Sequence, residues 1–143
     1  MTHRPLVLLL RCGAVLTGSA FLAMFLPVES MASTHRWLGL GEFPRTPIVD
    51  YLTRSVSSLY GFHGVLVLIV SRDPIRYLTI VRYLGWMYIL AGAFAIVIDL
   101  YAPLPWYWTA VEGPSTLLSG ALILYLSRPG RFHRHPEGDR QKP

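Results

Sequence analysis

Charge is scarce in this chain. Only 15% of its 143 residues are charged, where a soluble domain carries about 25%. Cysteine is scarcer still: Cys12 stands alone, which excludes a disulfide scaffold. The familiar chemical signatures are missing too. There is no Walker A loop, no GxGxxG, no HExxH and no nucleophile elbow. Residues 38–43, LGLGEF, carry two glycines, but no strand–helix context surrounds them, so they are not a phosphate loop. No internal repeat is visible. What the chain has in quantity is apolar surface: 52% of residues are hydrophobic and the mean hydropathy is +0.41. That is far too apolar for disorder. The length allows one domain, and it accommodates about four bilayer-crossing helices of roughly 20 residues each.

Four apolar runs carry the expected spans, at about 5–27, 54–70, 77–101 and 106–126. In hydrocarbon every backbone N–H and C=O needs an internal partner, so runs of this length are helices. The expected fold is therefore all-α, a four-helix transmembrane bundle over residues 1–127. The second helix is expected to begin before its apolar run. Thr46 suits an N-cap and Pro47 the first helical position. Asp50 and Arg54 then form an i,i+4 pair. Residues 28–46, with Gly39, Gly41, Pro44 and Pro47 in or beside them, read as an extracytoplasmic surface loop, with Trp37, Leu38 and Leu40 dipping into the interface. Residues 71–76, SRDPIR, read as a tight turn, and 102–105, APLP, as a short rigid link. The last sixteen residues, RPGRFHRHPEGDRQKP, show no apolar periodicity and read as a disordered basic cytoplasmic tail over 128–143.

Orientation follows the placement of Lys and Arg. With a cytoplasmic N-terminus the inner side holds ten of them: Arg4, Arg11, Arg72, Arg76, Arg82, Arg128, Arg131, Arg134, Arg140 and Lys142. The outer side holds three, Arg36, Arg45 and Arg54. Both termini are thus expected in the cytoplasm, and the net charge of +5 is largely a topology signal. The basic tail suits retention and attraction to anionic lipid. Nucleic-acid binding is not expected, because no basic fold interleaved with aromatics is present. A competing reading makes residues 1–32 a cleaved signal, ending at the small-x-small pattern Ser30-Met31-Ala32. The run from Leu6 to Pro27 is long enough to span, which favours retention. Cys12 reads as an inert buried thiol, since Leu10 and Arg11 before it do not make a lipoprotein context.

Charged side chains in or near a span are costly, so each is a site hypothesis. Arg11 and Arg82 lie close enough to the inner face to snorkel; a lipid headgroup phosphate between them is the alternative. Arg54, Asp99 and Glu112 are expected at a similar depth near the outer face. If their helices are neighbours they form either a structural ion-pair network or an outward-facing polar pocket in which two carboxylates handle a proton or cation. Pro114 removes a backbone donor. Ser115, Thr116 and Ser119 fall near the Glu112 face and suit bonding to that side chain or to the freed backbone, and Trp108 with Glu112 is a candidate pocket lining. His63 is the histidine near a span centre. A neutral imidazole bonded to a neighbouring helix accounts for it. A haem held by two histidines of one chain has no second ligand at that depth. His133 and His135 have only weak metal-ligand spacing, so no metal site is expected.

Small residues allow helix backbones to approach closely. Ser57, Gly61 and Gly64 make one such stripe, and Gly85, Gly92 and Asp99 recur every seven residues on the next helix. These two helices are expected to pack together. Gly13, Gly18 and Ala23 suit the same role in the first helix. Trp37, Trp106, Tyr107 and Trp108 suit the outer interface, and Tyr77, Tyr83 and Tyr125 the inner one.

Residues 36–64, RWLGLGEFPRTPIVDYLTRSVSSLYGFHG, and 99–114, DLYAPLPWYWTAVEGP, together with the four-span plan, resemble small bacterial inner-membrane proteins of the DoxX-like type. The resemblance implies a membrane subunit of a quinone or thiol redox system that works with partner proteins. The lone cysteine gives a thiol role no support, and no catalytic residue carries over. The expected function is that of a non-catalytic accessory or scaffold subunit in a bacterial inner membrane. Its expected partners are the bilayer and another membrane protein or a second copy of itself, and no resident cofactor is expected. The alternatives are a membrane-embedded protein handling a quinone, a lipid headgroup or a proton through Arg54, Asp99 and Glu112, and a redox subunit with haem at a dimer interface.

Overall fold

The computed structural model describes residues 4–102 and 104–128. The expected tail, with His133 and His135, lies outside them. Among the described residues the fold is all-helical: α1 (Arg4–Gly18), α2 (Ala20–Phe25), α3 (Val28–Trp37), α4 (Pro47–Val70), α5 (Leu78–Tyr101) and α6 (Trp106–Leu126). A one-residue break at Ser19 separates α1 from α2, and the two form one rod from Arg4 to Phe25. That rod, α4 and α5 are the three helices long and apolar enough to cross a membrane. Helix α6 has 21 residues but carries Glu112, Pro114, Ser115, Thr116 and Ser119 in its middle, which lowers its apolarity. Large apolar side chains such as Val15, Leu22, Phe62, Phe94 and Leu100 stand exposed on the outside, which suits contact with lipid.

Helix α4 starts where its sequence permits. Thr46 accepts a hydrogen bond from the Val49 N–H at 3.4 Å, and Pro47 occupies the first turn. Segment 28–46 departs from the expected loop, because its first ten residues form α3. Glu29 in the first turn and His35 and Arg36 in the last complement the helix dipole. Gly39 ends the helix with φ +69°, and the Leu40 N–H returns to the His35 carbonyl at 3.1 Å. A left-handed residue is a common helix stop, and glycine adopts it without a Cβ clash. The chain then folds back on α3 through Arg36–Glu42 at 3.3 Å and Arg45–Glu29 at 3.1 Å. The Tyr107 hydroxyl donates to the Leu38 carbonyl and ties this cap to the start of α6. Trp37, expected to dip into the interface, is 83% exposed. Ser30-Met31-Ala32 lies within α3, with Met31 and Ala32 buried.

The helices pack as two pairs: α1–α2 with α4, and α5 with α6. This corrects the expected packing of α4 on α5. The glycine stripes are used, but each meets a different partner. A Cβ at Gly64 would come within 2.6 Å of the Gly18 Cα, and one at Gly92 within 2.6 Å of the Leu117 N. At Gly120 a Cβ would stand 2.5 Å from the Gly85 carbonyl oxygen. A small-residue stripe needs another backbone against it, and Ala14, Gly18, Gly113 and Gly120 offer one where the facing helix has only large side chains. The turn at 71–77 therefore carries the chain from one pair to the other. Near that turn the pairs meet in one core of Leu6, Leu10, Ala14, Val67, Val70, Val81, Leu84 and Ile123.

Candidate functional site

Beyond this core, toward the Phe25 end of the first rod, a half-open cavity of about 870 Å³ lies between the two pairs. All four long rods line it. Most of the wall is apolar, with Leu9, Leu10, Leu16, Val56, Leu59, Val67, Met87 and Ile123 contributing. The polar part comes from all four rods. His63 of α4 and Tyr88 of α5 share a hydrogen bond of 2.7 Å between Nε2 and the hydroxyl. Their rings meet edge to face at 5.6 Å. This contact links the two pairs across the cavity wall. From α6 come Glu112, Ser115, Thr116 and Ser119, and from α1 Cys12 and Thr17.

The hydroxyls on α6 are turned toward their own backbone. Thr116 Oγ1 donates to the Glu112 carbonyl at 2.8 Å, Ser115 Oγ to the same carbonyl at 3.2 Å, and Ser119 Oγ to the Ser115 carbonyl at 2.8 Å. They bond the backbone of Glu112 and not its carboxylate. Such back-bonding is the usual resort of Ser and Thr in a helix whose regular bonding is disturbed, and Pro114 disturbs it here by lacking an N–H. The carboxylate of Glu112 accepts from the indole N–H of Trp108, one turn earlier. Trp108 itself does not line the cavity.

Arg54, Asp99 and Glu112 do not pair with one another among the described residues. Arg54 bonds Asp50 at 3.0 Å and the carbonyls of Met24 at 2.5 Å and Leu26 at 3.2 Å. The pairing of the helices explains this. Helix α4 lies against α2, whose last carbonyls lack intrahelical donors, and a guanidinium supplies several. Asp99 belongs to the other pair. It is 6% exposed, and its Oδ2 has no hydrogen-bond partner among the described residues. Neither Arg54 nor Asp99 lines the cavity, whereas Glu112 does. The cavity thus joins Glu112, Ser115 and Ser119 to His63. Arg11 and Arg82 are exposed and have no acidic partner among the described residues.

Two lining residues escape a reading of the sequence. Tyr88 sits far from either expected interface, and a tyrosine at such depth is the signal that would have found it. Cys12, expected buried, is exposed and lines the cavity. Among the described residues no group of three His, Cys, Asp or Glu is placed to hold a metal ion. No protein-family model, curated protein or solved structure matches this chain. Its chemistry is therefore read from the cavity alone. An apolar chamber with a few converging polar groups can hold and orient a molecule that has an apolar body and a polar head.

Proposed function

We propose that this protein is a four-span bacterial inner-membrane protein that holds an amphipathic small molecule between its two helix pairs. The observation that carries this reading is the cavity of about 870 Å³, which lies within the usual size range of small-molecule sites. Its polar groups converge from α1, α4, α5 and α6 while most of its wall is apolar. In this reading α6 is the fourth span. Its lower apolarity is the consequence of carrying the polar wall, since polar residues at membrane depth are retained when they face a cavity. Holding a molecule needs no reaction, and the function is non-catalytic.

The orientation proposed is cytoplasmic for the 71–77 turn and for both termini. Arg36, Arg45 and Arg54 each have an acidic partner. Arg4, Arg11, Arg72, Arg76, Arg82 and Arg128 have none among the described residues. Unpaired arginines near one membrane face suit the anionic cytoplasmic leaflet. Alkaline phosphatase fused behind Ser127 should be inactive, and the same enzyme inserted after Gly41 active; the reverse pattern would overturn the orientation.

The reading as a holding protein is tested by purification from the native membrane in a gentle detergent, followed by mass spectrometry of everything retained. A single amphipathic small molecule near one per chain is the expected result. A stoichiometric protein partner with no small molecule would overturn it in favour of the accessory-subunit role that the composition suggests.

A further inference from the structure

The polar groups of the cavity are unequal in kind, and this inequality selects a ligand. A hydroxyl has one proton to donate and two lone pairs to accept with. Ser115, Thr116 and Ser119 have each spent that proton on a backbone carbonyl of α6. Thr17 has done the same, donating to the Gly13 carbonyl at 2.9 Å. All four therefore present lone pairs to the cavity. Glu112 adds a carboxylate whose Oε2 is held by the Trp108 indole, leaving Oε1 free to accept. The His63–Tyr88 pair spends one of its two protons on its own bond, so the cavity's remaining donors, that pair and the Tyr60 hydroxyl, belong to α4 and α5.

Resting on the reading of the cavity as a binding chamber, we propose that its ligand is a cationic amphiphile with an N–H-bearing ammonium head, seated against Glu112, Ser115, Thr116 and Ser119, its apolar body lying among Leu9 and Met87. The α6 side of the cavity, a row of acceptors with one carboxylate, offers nothing to a head that can only accept. A carboxylate head or a ketone oxygen meets lone pairs of its own kind there. A neutral alcohol can donate one hydrogen bond but gains no charge attraction. A trimethylammonium head has the charge but no proton to donate. An alkylammonium has both, and charge-assisted hydrogen bonds are about twice as strong as neutral ones.

The test compares four probes with the same chain: dodecylammonium, dodecyltrimethylammonium, dodecanol and laurate. Each is titrated into the purified full-length protein in zwitterionic lipid nanodiscs, and occupancy is counted by native mass spectrometry. Cavity binding is defined as the part lost in Gly13→Leu, whose side chain intrudes into the chamber from a lining position. The expected result is half-occupancy by dodecylammonium at about one tenth of the concentration the other three need, the scale of one charge-assisted hydrogen bond. Glu112→Gln should remove that tenfold preference. Because the variants and the wild type share one lipid, partitioning of each probe into the bilayer cancels between them. Ser119→Ala gives a second variant at which the preference should shrink. Equal occupancy by all four heads, or a preference that survives Glu112→Gln, overturns the choice of head while leaving the chamber standing. Gly13→Leu changing the occupancy of none of the four overturns the chamber, and with it this inference.

Discussion

Arg54 ties two helices together, and two of its three acceptors are backbone carbonyls that no rotamer change can withdraw. Its guanidinium fork reaches past the end of α2 while Nε stays on Asp50. Hydrogen bonds from a charged donor contribute about 1.5–3 kcal/mol each, so Arg54→Ala should lose about 2 kcal/mol after partial hydration of the exposed carbonyls. Arg54→Lys should recover less than half, because an ammonium cannot reproduce the planar fork. Thermal unfolding of the purified protein reads both, and an alanine variant that melts with the wild type would show that the clamp carries no stability. The reason Arg54 is wanted was only half legible in the sequence. The Asp50 partner follows from i,i+4 spacing. The Met24 and Leu26 carbonyls do not, because a spacing rule on α4 says nothing about which helix end lies beside it. Asp99 and Glu112 show the same limit: their similar depth was legible, their separation into different surroundings was not.

At the scale of elements, the helix limits were close to the edges of the apolar runs, and the partners were not. Thr46-Pro47, the 71–77 turn and the Pro105–Trp106 start of α6 are local signals, so the chain announces them locally. A glycine stripe announces only that something approaches closely. Gly61 and Gly64 face Phe21 and Gly18, and Gly85 and Gly92 face α6. No property of α4 or α5 alone distinguishes these partners from each other. Helix α3 was missed for another reason. It is short and its apolar side amounts to little more than Met31 and Ala32, yet Glu29, His35, Arg36 and Gly39 were start and stop signals in plain view. The pairs make a prediction with opposite signs at two glycines. Gly64→Ala drives a Cβ into the backbone of α1 and should cost about 1–3 kcal/mol, as overpacking does. Gly13→Ala meets nothing within 4 Å and should gain up to about 1 kcal/mol from helix propensity. Melting temperatures of the two variants moving in the same direction would contradict the assignment of Gly64 to the α1–α4 seam.

The whole molecule is two tight helix pairs that share a core near the 71–77 turn and part above it. Packing within each pair brings the backbones close together at Gly64, Gly92 and Gly120. Between pairs, beyond the core, the conspicuous polar link is His63 to Tyr88. That difference leaves the chamber. In the sequence, His63, Glu112, Ser115 and Ser119 were visible one by one as polar groups at depth. Their sharing of a single cavity depends on the pairing of the helices, which is a property of the assembled fold. The central claim is that this chamber is occupied by a small amphiphile. The most direct test is native mass spectrometry of wild-type and Gly13→Leu protein, each released from its own membrane. A Cβ at position 13 meets nothing within 4 Å, and thermal unfolding of the variant checks that it folds. The account predicts one small molecule bound to the wild type and a smaller share of it on Gly13→Leu. The same adduct on both proteins in equal share, or an adduct on neither, would contradict it.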